Sequence, residues 1–286
     1  MGLCSPSEIK QLLDRYGFRF SKSMGQNFLI DASVPERIVA MSGINRSFGV
    51  LEIGPGIGAL TQRLCESAGR VTAVELDRSL EPLLRETLGQ YDNLSVVFAD
   101  VMKTDIKALL REKMPDMPYA VCANLPYNIT TPVLTKLIDS GCFESLTVMV
   151  QREVARRICA SAGDGDYGAF SVYIAYHTQP ELLFDVPPSC FMPQPKVYSS
   201  VIKLTPRREK AVQLTDERMF FRVVRAAFAQ RRKTLVNALG SGFSNELTKR
   251  QIAEAMEKCG LEPSVRGEKL SVEQFAELSA AIGGKL

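Results

Sequence analysis

The stretch Leu51-Glu52-Ile53-Gly54-Pro55-Gly56-Ile57-Gly58-Ala59-Leu60-Thr61 decides the fold. An apolar run ends in three glycines at alternate positions, and a helical pattern follows at once. Glycine tolerates the tight strand-to-helix turn this requires, and it lets the backbone approach a bound nucleoside closely. The spacing therefore predicts a strand over 49–53, a turn, and a helix over about 58–68.

Working outward, the same alternation recurs. Short valine-rich runs at 71–75, 94–98, 119–123 and 146–150 are bounded by turn residues and read as strands buried on both faces. Helical patterns lie between them at about 79–89, 104–113 and 130–140. Repeated strand–helix–strand units imply a mostly parallel sheet with right-handed crossovers and helices on both faces. Ligands of such sheets sit outside the carboxyl ends of the strands, at the point where strand order reverses. Two helices are expected before the first strand. One is capped by Ser5, with Pro6 at its first position and Glu8 completing a capping box; the other is capped by Asp31 and ended by Gly43. Further on, a helix near 169–176 precedes strands at 181–186 and 197–204. Pro206-Arg207-Arg208-Glu209 reads as a linker, and everything from about Asp216 is helical in pattern. The expected division is thus an α/β domain over 1–205 and an all-helical domain over 206–286.

Composition narrows the chemistry. The 286 residues include one histidine, His177, and seven cysteines with no Cys-x-x-Cys pair. That argues against a zinc site and against an imidazole-based nucleophilic arrangement. The thiols read as reduced and packed as small hydrophobes. No apolar run approaches the roughly 20 residues of a membrane span. The start, Met1-Gly2-Leu3-Cys4-Ser5-Pro6, has no signal-peptide apolar stretch, and Pro6 breaks the myristoylation pattern. A soluble, cytoplasmic protein is expected. The net charge of +3 is unevenly spread: residues 1–205 hold 20 basic against 22 acidic side chains, and residues 206–286 hold 15 against 10. The basic excess lies in the helical tail, where a solvated helix face and a nucleic-acid surface are equally open readings.

Carboxylates mark the next two strand ends. Glu75 ends the second strand about 20 residues past the glycine turn and can accept both hydroxyls of a ribose; Asp77 competes for that role, and Glu75 is favoured because it is nearer the strand end. Taken to this point, the pattern serves NAD as well as S-adenosylmethionine. The third strand ends at Asp100, where a carboxylate can accept a hydrogen bond from an adenine amine. Gly54 and Gly56, then Glu75, then Asp100 at three successive strand ends resembles the arrangement of S-adenosylmethionine-dependent methyltransferases rather than that of dehydrogenases.

The fourth strand runs into Asn124-Leu125-Pro126-Tyr127. An exocyclic adenine nitrogen is a poor nucleophile because its lone pair is delocalised into the ring. Two acceptors for its N–H groups, the Asn124 side-chain oxygen and the Leu125 carbonyl, can turn that lone pair towards a methyl donor. Pro126 fixes the chain direction and has no N–H to compete. Tyr127 offers a face on which a base can stack. The tetrapeptide resembles the Asn/Asp-x-Pro-Tyr/Phe motif of amino-methyltransferases, and in its leucine form that of the ribosomal RNA adenine dimethylase family. Three further stretches are similar to that family: Gly25-Gln26-Asn27-Phe28-Leu29; Phe191-Met192-Pro193-Gln194-Pro195-Lys196-Val197-Tyr198-Ser199; and, in the tail, Ala226–Leu239 together with Arg266–Ser271. The resemblance covers roughly Gly25 to Ile282. Ala229 departs from it, standing where the bacterial small-subunit branch is expected to have a polar residue.

The resemblance implies a seven-stranded methyltransferase sheet, S-adenosyl-L-methionine as cofactor, and dimethylation of the N6 amine of two adjacent adenosines. Those adenosines lie in a hairpin loop near the 3′ end of 16S rRNA, in the small ribosomal subunit, and the enzyme is expected to act as a monomer. It places Asn27 and Leu29 on the cofactor beside Gly54, Gly56, Glu75, Asp100 and Asn124. It has Phe191 facing Tyr127 across a flipped base, and Arg231, Arg232 and Lys233 on RNA phosphates. The rival readings are a 23S rRNA adenine methyltransferase of the antibiotic-resistance type, an RNA-binding assembly factor without catalysis, and a protein glutamine methyltransferase.

Overall fold

The computed structural model describes residues 3–20 and 26–285; Met1, Gly2 and Gly25, all named above, lie outside the described residues. The elements in chain order are α1 (Pro6–Arg15), β1 (Phe28–Leu29), α2 (Ser33–Ser42), β2 (Gly49–Ile53), α3 (Ala59–Ser67), β3 (Arg70–Glu75), α4 (Glu81–Leu88), β4 (Leu94–Phe98), α5 (Ile106–Lys113), β5 (Tyr119–Asn124), α6 (Thr130–Ser140), β6 (Phe143–Gln151), α7 (Arg152–Cys159), α8 (Ala169–His177), β7 (Thr178–Val186), β8 (Phe191–Met192), β9 (Ser199–Pro206), α9 (Glu217–Ala229), α10 (Leu235–Gly242), α11 (Lys249–Lys258) and α12 (Val272–Gly283).

The chain forms two compact units, residues 1–155 with 181–206, and residues 156–180 with 207–286. The expected division had a single cut at 205/206. The second unit instead also takes in 156–180, because Tyr167, Val172 and Tyr176 pack in the same core as Phe220, Leu239 and Phe275. Local periodicity carries no information about which core a helix joins.

The first unit contains a seven-stranded sheet in the order β4-β3-β2-β5-β6-β9-β7. Strands β2 to β6 are parallel and β9 runs antiparallel to β6. Central strand β2 is buried along its whole length, including Glu52, the one charged residue in its otherwise apolar run. The chain leaves β2 outward to β3 and β4, then returns to place β5 on the other side of β2. The strand order therefore reverses between β2 and β5, and crevices for ligands form at such a reversal.

Local expectations held with some corrections. Gly43 ends α2 in the left-handed conformation at φ 79°. Asp31 does not cap α2: the N-cap position is Ala32, with no side-chain cap bond, and Asp31, one residue earlier, accepts from the Ser33 N–H at 3.0 Å. The Ser5 hydroxyl likewise makes no cap bond and meets the Ser7 hydroxyl instead. Helix α7 was not foreseen. Nor was the two-stranded sheet of β1 and β8, which pairs Phe28 with Met192 and Leu29 with Phe191. Strands of two residues are too short for periodicity to signal. Among the described residues, no helix is long and apolar enough to cross a membrane.

In the second unit, α9 packs on α10 and α12, and α11 on α10 and α12. Phe220, Phe243 and Phe275 are fully buried between these helices.

Candidate active site

A cavity of about 180 Å³ opens at the carboxyl ends of β2 to β5. The glycine turn forms its floor. Gly56 has φ 59°, and a Cβ there would lie 2.9 Å from the Phe28 ring. Gly58 has φ 95°, and its Cβ would meet Leu88 at 2.8 Å. Both positions combine a left-handed backbone with a close neighbour, so a side chain is excluded on two counts. Pro126 of the strip abuts the same turn, 3.8 Å from where a Gly54 Cβ would stand.

Glu75 ends β3 on the cavity wall and is 6% exposed. Its Oε1 accepts from the Asp77 N–H at 2.8 Å. Burial pushes its carboxyl above the usual range, against the opposing pull of backbone N–H groups from Asp77, Gly56 and Leu76. Asp77 does not line the cavity. One of its oxygens accepts from the Ser79 N–H and hydroxyl, and the other from the Gln26 amide at 2.8 Å. Of the two carboxylates, the one favoured from sequence, Glu75, lines the cavity and Asp77 does not. Asp100 lines the wall beyond β4, and its Oδ1 accepts from the Met102 N–H at 2.9 Å.

Asn124, Leu125, Pro126 and Tyr127 all line the cavity. The Asn124 amide nitrogen donates to the Asn27 carbonyl at 3.3 Å, which leaves the side-chain oxygen as its acceptor. The Leu125 N–H donates to the Met149 carbonyl at 3.1 Å, anchoring the strip to β6. The Tyr127 hydroxyl and the Ser199 hydroxyl are 2.7 Å apart, and burial pushes the phenol pKa up. Residues 26–29 cross over these strand ends: Gln26 to Asp77, Asn27 to Asn124, Phe28 against Gly56, and Leu29 paired with Phe191.

One expected site residue stands elsewhere. Phe191 is 2% exposed in the core beside Leu29 and does not line the cavity. Arg231, Arg232 and Lys233 lie on the exposed turn between α9 and α10. The Arg231 guanidinium donates to the Gly165 carbonyl at 2.8 Å, a contact within its own unit.

Sequence reasoning missed Glu52. It sits mid-motif on the cavity wall, 1% exposed, and its Oε2 has no hydrogen-bond partner. Burial, with the Glu75 carboxylate adding to it, pushes its carboxyl up to about 8. The only signal was a charged residue inside an otherwise apolar strand. With Glu52, Glu75 and Asp100 the lining holds three carboxyl groups and, among the described residues, no lysine, arginine or histidine. A positively charged sulfonium ligand would meet carboxylates of opposite charge at Glu75 and Asp100.

A reversal-point cavity of this make-up, on a mostly parallel seven-stranded sheet with an antiparallel strand, is that of the S-adenosylmethionine-dependent methyltransferase class. The family model of ribosomal RNA adenine dimethylase matches residues 17–283, and the chain belongs to that family. It is 45% identical to Ribosomal RNA small subunit methyltransferase A of Lachnoclostridium phytofermentans, over 99% of both chains. It is 44% identical to the protein of that name from Bacillus licheniformis, over 97% of this chain and 96% of the relative. Among solved structures, a dimethyladenosine transferase from Plasmodium falciparum superposes with a TM-score of 0.73 at 26% identity, covering 90% of this chain and 98% of that one. The 23S rRNA methyltransferase ErmE gives 0.69 at 26%, covering 90% and 99%.

Proposed function

We propose that this chain uses S-adenosyl-L-methionine to dimethylate the N6 amine of two adjacent adenosines in a hairpin loop near the 3′ end of 16S rRNA, in the small ribosomal subunit. The observation that carries the reading is the convergence of Asn124-Leu125-Pro126-Tyr127 with the glycine turn, Glu75 and Asp100 on one acidic cavity. The near-full-length likeness to small-subunit enzymes favours 16S over 23S rRNA, because the fold alone is common to ErmE as well.

The residues present fit the cofactor. Gly54 and Gly56 admit it against the backbone, Glu75 takes the ribose hydroxyls, Asp100 takes the adenine amine, and Asn27 and Leu29 close over it. Bound there, S-adenosylmethionine supplies an electrophilic methyl group. Asn124 and Leu125 accept the two N–H groups of the target amine and so turn its lone pair towards that methyl, while Tyr127 stacks on the base. Asn124 is held for this by its bond to Asn27. The nitrogen becomes acidic once methylated and loses its proton to solvent, so no imidazole is needed. Arg232 and Lys233, exposed on the α9–α10 turn, and Arg231 beside them take RNA phosphates. The enzyme acts as a cytoplasmic monomer.

The test offers undermethylated small and large subunits with labelled cofactor, with mass spectrometry of 16S rRNA from cells with and without the protein. Dimethyladenosine in 16S rRNA is expected, and label confined to 23S rRNA would overturn the reading. Asn124→Ala should lower turnover on the order of 100-fold while cofactor binding persists; undiminished turnover would remove Asn124 from the mechanism.

A further inference from the structure

The surface beside the strip carries an aromatic–cation pair that the cofactor and target base leave unused. The Tyr198 ring is 42% exposed, with Val197 at 45% beside it. The Arg152 guanidinium lies 4.5 Å from the centre of that ring. The two residues are held together by the main chain, because the Arg152 N–H donates to the Tyr198 carbonyl at 3.0 Å. They stand immediately beyond the ladder pair Gln151–Ser199, Arg152 opening α7 and Tyr198 just before β9. Asn124 pairs with Met149 on β6. Arg152 therefore stands three residues after Met149, as the first residue of α7 at the carboxyl end of β6, on the side where substrate must enter. The next residue after Tyr198, Ser199, hydrogen-bonds Tyr127 of the strip. Lys196 is exposed two residues before. Arg152 has a weak acidic neighbour in Asp185 at 4.0 Å, and Asp185 is itself bound by the Ser200 hydroxyl.

A ring with one face against a guanidinium and substantial exposed surface is a stacking platform that every base fits, and adjacent cations suit a phosphate. We propose that Tyr198, braced by Arg152, stacks the nucleotide next to the target adenosine, and that Arg152 and Lys196 take its phosphate. The inference rests on the reading that the chain methylates a ribosomal RNA base. It gives the pair a positioning role: with the neighbour held on Tyr198, one adenosine of a tandem enters the strip while the other stays outside it.

The experiment is steady-state methylation of undermethylated small subunits by the full-length chain and its Tyr198→Ala, Tyr198→Phe and Arg152→Gln variants. One lost base stack corresponds to about 5- to 150-fold in affinity. Tyr198→Ala is expected to raise KM for subunits by that factor, with kcat and cofactor affinity within about twofold. Tyr198→Phe, which keeps the ring, should restore KM. Arg152→Gln should raise KM and flatten its salt dependence, and this arm stands even if Tyr198→Ala does not fold. An unchanged KM in both Tyr198→Ala and Arg152→Gln, or a Phe variant as impaired as Ala, overturns the inference alone. A loss confined to kcat also overturns it, since the residue would then act on Tyr127 through Ser199. A wild-type chain that labels no small subunits overturns the functional reading, and this inference falls with it.

Discussion

Replacing Glu52 with glutamine should remove a pH dependence of stability that the wild-type chain carries. The carboxyl is fully buried on β2, one oxygen has no partner, and Glu75 is its nearest charge. Its pKa rises from the ordinary 4.5 to about 8 on folding. A raised folded-state pKa means that the folded form holds its proton more tightly than the unfolded form. The neutral group's contribution is therefore complete below pH 4.5 and is lost as pH climbs towards 8. At about 1.4 kcal/mol per pH unit, the loss between pH 5.5 and pH 8 is about 3 kcal/mol. That is a large fraction of a typical domain's stability of about 5–15 kcal/mol. The assay is urea unfolding of the cofactor-free wild type and Glu52→Gln at pH 5.5, 7 and 8. Other titrating groups are common to both proteins and cancel in the difference. The wild type should lose about 3 kcal/mol relative to the variant across that range, whichever is more stable at pH 5.5. Curves that stay parallel to within about 0.5 kcal/mol would refute the argument that Glu52 is buried as a neutral acid.

Gly56→Ala places a Cβ at φ 59° and 2.9 Å from the Phe28 ring; it should cost about 1–3 kcal/mol in thermal unfolding and at least tenfold in cofactor affinity by calorimetry. Tyr127→Phe loses the bond to Ser199, so about 1 kcal/mol of stability should go while methyl transfer survives; Tyr127→Ala should lose the transfer too, and equal turnover in the two variants would remove the ring from the mechanism. Lys233→Ala should weaken RNA binding across sequences and reduce the slope of log affinity against log salt by about 1, with cofactor binding untouched.

The sequence by itself determined the α/β class, the succession of strands and helices along the chain from 49 to 150, and the residues that end the central strands. Those follow from chemistry that acts locally. Buried strands need unbroken apolar runs, tight turns need glycine, and strand ends at a reversal point collect ligand groups. The strip was legible because its four residues do one job in one place. Tertiary structure alone decided which residues share a surface. Sequence favoured Glu75 over Asp77 only by its nearness to the strand end; in the structure Asp77 is held by a local bond from Ser79 and by one from Gln26, 51 residues away in the chain, and does not line the cavity. Phe191 joined the core through its two-residue ladder with Leu29, a pairing that no periodicity announces. Residues 156–180 joined the helical unit because Tyr167 and Tyr176 found apolar partners there. Glu52 is one carboxylate among many until burial makes it a neutral acid. In each case the deciding quantity was burial or a contact between residues far apart in the chain.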